Sequence, residues 1–316
     1  MLATIAGGIL AAALAAAPQT DTTFAVQSGA RLEIRNTGGD IVVRTWDRDA
    51  VRIEAEHSSR TFLEVRNSGS VVRVQARSSL GPANIVDYRI TVPASMSLDL
   101  SGMHTDVSVD GAQADVSVTT VQGEVSIRGG RGSVFARSVQ GGVVVEGAQG
   151  QVKASSTSDD VRVMNVSGDV SAETVSGDIF LERIRSARVD AGTVSGDVYF
   201  DGAIQPRGRY SFVTHSGDVV ASVQEGADVT VSVGTLNGDL NASFPLPSRD
   251  DRGRRFTFTL GSGSARLELE TFSGDVELRR PSEVAAALEE ARARASRREQ
   301  ARRTPPSAPR PPRESY

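Results

Sequence analysis

The 316-residue chain has no cysteine, which excludes disulfide staples, cysteine zinc sites, iron–sulfur ligation, a thiol nucleophile and a lipid-bearing cysteine. Histidine is almost as scarce. His57, His104 and His215 lie far apart and leave little material for a histidine metal site or a catalytic triad. Gly-x-Ser-x-Gly, a phosphate-cradling glycine loop and His-Glu-x-x-His are all missing as well. A formal net charge of −4 gives no reason to expect nucleic acid as a partner. Lys153 is the only lysine among 35 basic residues, a bias that reads as base composition rather than function. No apolar run reaches the roughly 20 residues of a comfortable transmembrane helix.

Charge is spread unevenly. Residues 279–316 hold ten Arg and five Glu, a balance of +5, so the rest of the chain carries −9. Leu2 to Ala17 is uncharged and rich in Ala, Gly, Leu and Ile, and it ends in Ala-Leu-Ala-Ala-Ala-Pro. Small residues at that spacing suit a signal peptidase, so residues 1–17 read as a signal peptide, although no Lys or Arg precedes the run. Export to the periplasm, the cell surface or the medium follows as the expectation, with no membrane span in the mature chain.

From about Asp21 to Leu278 almost nothing reads as helix. Short runs rich in Val, Ile and Thr alternate apolar with polar residues between Gly-Asp and Asn-Gly pairs. Units open every nine residues from Asp106 through Asp178, then continue with small insertions at Arg188, Asp197, Arg209, Asp218, Asp228 and Asp239, with a last one at Asp275. Every second unit follows a corner of one kind, such as Thr-Val-Gln-Gly, Thr-Val-Ser-Gly or Thr-Phe-Ser-Gly. The true period is therefore 18 to 21 residues, two strands and two unlike corners. A hairpin meander gives alternate turns no reason to match, whereas a flattened spiral stacks each corner on its own kind.

Positions one and three of the first strand class are apolar in every unit, from Val107/Val109 to Val276/Leu278. The second class pairs Val with Val or Ala, as in Val116/Val118 and Val152/Ala154. The expected fold is all-β: a parallel β-solenoid or β-roll of two sheets over residues 101–280, an N-terminal β cap over 21–100, and a helix with a disordered Pro/Arg-rich tail over 281–316. Trp46 is expected to pack in the cap. Ser282 is placed as the helix N-cap. A third ladder, Val121, Val139, Thr157, Val175, Val194, His215, Leu236 and Phe272, is expected to point inward at the corner.

Thr37 to Ala55 reads Thr-Gly-Gly-Asp-Ile-Val-Val-Arg-Thr-Trp-Asp-Arg-Asp-Ala-Val-Arg-Ile-Glu-Ala, and Tyr88 to Ala94 reads Tyr-Arg-Ile-Thr-Val-Pro-Ala. These segments, with the Ser-Gly-Asp-Val units after them, resemble the bacterial "putative adhesin" β-strand-repeat family over about residues 24 to 280. The resemblance implies an exported or membrane-tethered β-solenoid of unassigned activity, with no catalytic residues to carry over.

Stacked rungs would set Asp160, Asp178, Asp197, Asp218 and Asp239 in one column at roughly 4.8 Å spacing. Hydrogen bonds from each carboxylate to its own turn amides, or bound cations, could offset the repulsion. The calcium-roll order Gly-Gly-x-Gly-x-Asp is not this order, so turn capping is favoured and neither metal nor cofactor is expected. The outward column Ser108, Ser126, Val144, Arg162, Phe180, Tyr199, Val220, Asn241 and Glu277 holds no carboxylate pair, which argues against a lyase or hydrolase and against an enzyme in general.

Val144, Arg162, Phe180, Tyr199 and Val220 instead form an apolar–aromatic stripe with one Arg, the candidate binding site. Coverage by the tail helix and pairing in a homo-oligomer are the alternatives. The expected function is a non-enzymatic cell-envelope scaffold for adhesion or for binding an envelope protein or polysaccharide. The alternatives are a sensory or stress-response module acting through the basic tail, and a calcium-binding β-roll.

Overall fold

The apolar alternation decides which way each strand faces, and parallel stacking at an 18-residue repeat keeps that choice constant from coil to coil. The computed structural model describes residues 19–79, 81, 85–246, 250–252 and 255–303. The proposed signal segment and the end of the tail lie outside these residues. First-class strands Val125–Gly129, Val143–Glu146, Val161–Met164 and Ile179–Ile184 pair in parallel, with Val125, Val143, Val161 and Ile179 in one register column. Second-class strands Val116–Gln122, Arg131–Arg137, Gln149–Ser155 and Val170–Glu173 stack likewise in the opposite sheet. Among the described residues the sheets hold 13 and 14 strands around one continuous core. The chain is a two-sheet, mostly parallel β-solenoid.

All the first-class inward residues are buried except Leu240 and Ala242, which are half-buried on the last rung. The second-class Val and Ala residues are buried opposite them, so bulky side chains meet small ones across a thin interior. Strands Arg31–Gly38 and Ile41–Trp46 already form a coil, paired in parallel with Ser97–His104 and Val107–Ala112. Outside them, antiparallel Gln19–Ala25, Ala50–Glu56 and Thr61–Asn67 cover the open end, which would otherwise present unpaired backbone. Trp46, half-buried at the end of a coil strand, leans on this cap. Its indole N–H donates to the Ala50 carbonyl at 2.8 Å, and Arg48 lies over its ring.

Three expectations need correction. The coils do not stack in sequence order at the C-terminal end. Ala265–Ser273 and Val276–Arg279 slot between Arg209–Ser216/Val219–Ser222 and Val229–Asn237/Leu240–Ala242. The chain first lays antiparallel Arg255–Leu260 along Val229–Asn237 and then returns, so Asp275, not Asp239, follows Asp218. Matching corners, not adjacency in sequence, set the stacking.

The third ladder points outward. The inward corner residue is the one before it: Thr120, Ser138, Ser156, Thr174, Thr193, Thr214, Thr271 and Thr235 are all buried. Their hydroxyls donate to corner carbonyls across the narrow interior, as from Thr193 to Gly177 at 3.1 Å and from Thr214 to Gly196 at 2.9 Å. A buried carbonyl needs that donor, and Val cannot supply it.

The helix spans Pro281–Arg303, and its N-cap is Arg280, not Ser282. The Arg280 carbonyl accepts from the N–H groups of Glu283 and Val284, Pro281 takes the first helical position, and the Glu283 carboxylate accepts the Arg280 N–H at 3.2 Å.

Candidate functional site

The Ser-Gly-Asp corners carry the acidic column, and each carboxylate caps the next rung. Asp160 Oδ1 accepts the Asp178 N–H at 2.9 Å, Asp178 that of Asp197 at 2.9 Å, and Asp197 that of Asp218 at 2.9 Å. Asp218 then caps Asp275 at 2.8 Å, and Asp275 caps Asp239 at 2.9 Å. The expected bond to each residue's own turn amide is thus replaced by one to its neighbour's, which ties successive coils together while offsetting charge. Burial holds the Asp178 carboxyl above its ordinary value, and the charges of Asp197 and Asp160 push it the same way. Among the described residues, no three His, Asp or Glu side chains converge as a metal site would require.

Val144, Arg162, Phe180, Tyr199 and Val220 do share one column, each the register partner of the next. They are not an open stripe. The helix lies across them and buries Phe180, Tyr199 and Val220 against Val284, Leu288, Ala291 and Ala295. Spacing of i, i+4, i+7 and i+11 puts those four side chains on one helix face. Phe180 and Tyr199 stack with centroids 5.4 Å apart, and the Arg162 guanidinium sits over Phe180 at 5.4 Å. Val144 and Arg162 remain half-buried at the margin.

Charge complements this packing. Arg292 pairs with the buried Glu182, Arg298 approaches Asp178 at 3.6 Å, and Arg294 donates to the Tyr199 hydroxyl at 3.2 Å. That hydroxyl in turn donates to Asp197 at 3.0 Å, and its pKa is pushed up by burial and by the Asp197 charge. Beyond Ala295 the helix and sheet leave a groove of about 550 Å³, lined in part by Glu124, Val144, Asp160, Arg162, Asp197 and Arg298.

The outward ladder is the second candidate surface, and it was legible in sequence only as a core column. Register pairs place Met103 beside Val121 and Thr37 beside Met103, so the ladder runs over ten rungs from Thr37 to Leu236, with Phe272 next to last. Met103 is 53% exposed, Val121 44%, Val175 46%, Val194 47% and Phe272 47%. His215, expected to point inward with its ladder, is exposed and stacks on Phe272 with centroids 4.7 Å apart. No Asp, Glu, Lys or Arg occurs in the ladder or in the column that follows it, which is Gln, Ser and Asn from Gln122 to Asn237. Gln122 donates to Gln140 at 2.7 Å along that rim.

Solved structures with a similar course of chain include one from Parabacteroides merdae described as a "putative adhesin". It is 7% identical, with 82% of this chain and 95% of that chain covered and a TM-score of 0.46. A "putative adhesin" from Bacteroides fragilis is 10% identical, covering 83% and 97%, with a TM-score of 0.43. A "putative lipid binding protein" from Parabacteroides distasonis is also 10% identical, covering 82% and 96%, with a TM-score of 0.43. No curated protein matches the chain. The family model described as Toastrack DUF4097 matches residues 29–279, from the first solenoid coil to the strand that precedes the helix, and the chain belongs to that family.

Proposed function

We propose that this chain is an exported, non-enzymatic scaffold of the cell envelope that adheres to a partner through the outward ladder. The observation that carries the reading is the uncharged ladder from Met103 to Phe272, in which Met103, Val121, Val175, Val194 and Phe272 are exposed and Val139 and Thr157 half-buried, aligned by parallel pairing on one sheet. Exposed, largely apolar surface rimmed by polar residues marks interaction sites. The uncharged segment 2–17 supports export, and the outward column of the other sheet supports a non-enzymatic role, since it offers no carboxylate pair.

The test is adhesion of beads coated with the purified chain to envelope polysaccharide and to whole cells. Val175→Glu with Val194→Glu should hold several-fold fewer beads than the unaltered chain, and equal retention would overturn the reading.

The sensory alternative draws on the basic balance of residues 279–316, ten Arg against five Glu. A truncation after Arg303 tests it, because the helix stays docked while the Pro-rich end is removed. Loss of envelope signalling with adhesion intact would favour it.

A further inference from the structure

We infer that the partner of the outward ladder is the same ladder of a second copy, packed antiparallel about a two-fold axis between the rungs of Thr157 and Val175. The inference rests on the partner-binding reading above and names the partner. Its first support is pitch. Rungs repeat at about 4.8 Å, so every rung of one ladder faces a rung of an identical ladder along its full length. The second is area. Ten rungs span about 43 Å, and a strip about 11 Å wide buries about 1,000 Å² over both copies, the lower bound for a specific interface.

The third support is charge. The neighbouring outward column does hold charges, Arg35, Arg137, Glu173 and Glu270, with Ser101, Ser155, Gly192 and Gly234 among its uncharged members in register. Antiparallel pairing about the stated axis sets Arg35 over Gly234, Arg137 over Gly192, Glu173 over Ser155 and Glu270 over Ser101. No charge meets its like. The same axis brings Met103 onto Phe272, where a thioether meets a ring already stacked on His215. On the other flank the Gln and Ser rim both donates and accepts, so it can bond to its own copy.

Sedimentation velocity on the purified chain at micromolar concentration should show a dimer. Val175→Glu with Val194→Glu should weaken it at least about tenfold, because each carboxylate would be stripped of water against an uncharged rung. Val175→Thr with Val194→Thr should fold alike, as circular dichroism would confirm, and dimerise less tightly. In this cysteine-free chain, Met103→Cys mixed with Phe272→Cys should form a disulfide-linked heterodimer, and neither variant alone should link to itself. A monomeric wild type, a dimer indifferent to the Glu substitutions, or linking of either cysteine variant to itself would overturn the pairing. A monomeric wild type whose Glu variant still loses bead adhesion would remove the second copy as partner and leave the partner-binding reading standing.

Discussion

Asp178 Oδ1 accepts the backbone N–H of Asp197 at 2.9 Å, and the two residues open successive coils. The bond shows why carboxylates stacked rung upon rung are tolerated: each is an acceptor for an amide at the start of the next strand. It also sets up the first prediction. The pKa of Asp178 is raised, chiefly by burial beneath the helix; the Asp197 N–H and the Arg298 charge oppose the rise, and the charges of Asp197 and Asp160 add to it. A carboxyl that holds its proton more tightly folded than unfolded loses stability as pH rises from the ordinary value of 3.8 through the folded one. Asp178→Asn keeps the acceptor oxygen and removes the charge. In urea denaturation it should equal or exceed the wild type at pH 7, and the advantage should shrink at pH 4.

The inward corner hydroxyls give a second test. Thr193 Oγ1 donates to the Gly177 carbonyl at 3.1 Å in the interior, while the side chain of Val194 stands in solvent. Thr193→Val preserves shape and strands a buried carbonyl, at a cost of about 1 kcal/mol. Val194→Thr should change monomer stability by less than about 0.5 kcal/mol. The two substitutions are chemical mirror images one residue apart. Reversed thermal shifts, with Val194→Thr the costlier change, would show that the strand faces the other way.

Glycine at the corner is a third. Gly196 has φ +155°, and a Cβ there would run into the carbonyl of Gly177 on the rung below. Gly192 has an ordinary φ, and its nearest neighbour would be the Val213 carbonyl at 3.9 Å. Gly196→Ala should therefore lose about 1–3 kcal/mol, while Gly192→Ala should be nearly neutral. Thermal denaturation of the pair checks both.

How much of this was legible in the sequence depended on whether the signal was periodic. Val143/Val145 and Val161/Val163 announce their inward faces through a strict two-residue alternation, and the recurrence of Thr-Val-Ser-Gly announces the spiral. Whether Thr193 or Val194 enters the core was harder, since both are β-branched and nearly isosteric. The usable signal was constancy. Ser or Thr stands without exception at Thr120, Ser138, Ser156, Thr174, Thr193, Thr214, Thr235 and Thr271, whereas the next position varies from Val to His and Phe. The insertion of the Asp275 coil ahead of Asp239 had no local signal, because either corner stacks equally well on Asp218. Coverage of Phe180 was masked by the helix itself, whose apolar face is four small or medium side chains in an Ala- and Arg-rich segment.

That covered face supplies the last prediction. Leu288 is buried against the column of Phe180, Tyr199 and Val220. Leu288→Ala removes most of its contact, and large-to-small changes of this kind cost about 2–5 kcal/mol in a well-packed core. The helix is held on one side only, so the loss should appear as local undocking, not global unfolding. Amide exchange within 284–298 should accelerate about tenfold or more while the solenoid strands keep their protection. Phe180→Ser with Tyr199→Ser should release the helix as well, since both rings and the hydroxyl contact to Arg294 go together. Deleting the chain from Pro281 onward would expose the same two rings, so the truncated protein should bind a hydrophobic dye that the intact chain excludes. Unchanged exchange in Leu288→Ala would mean that Arg292–Glu182 and Arg298–Asp178 hold the helix without its apolar face, and would overturn the prediction.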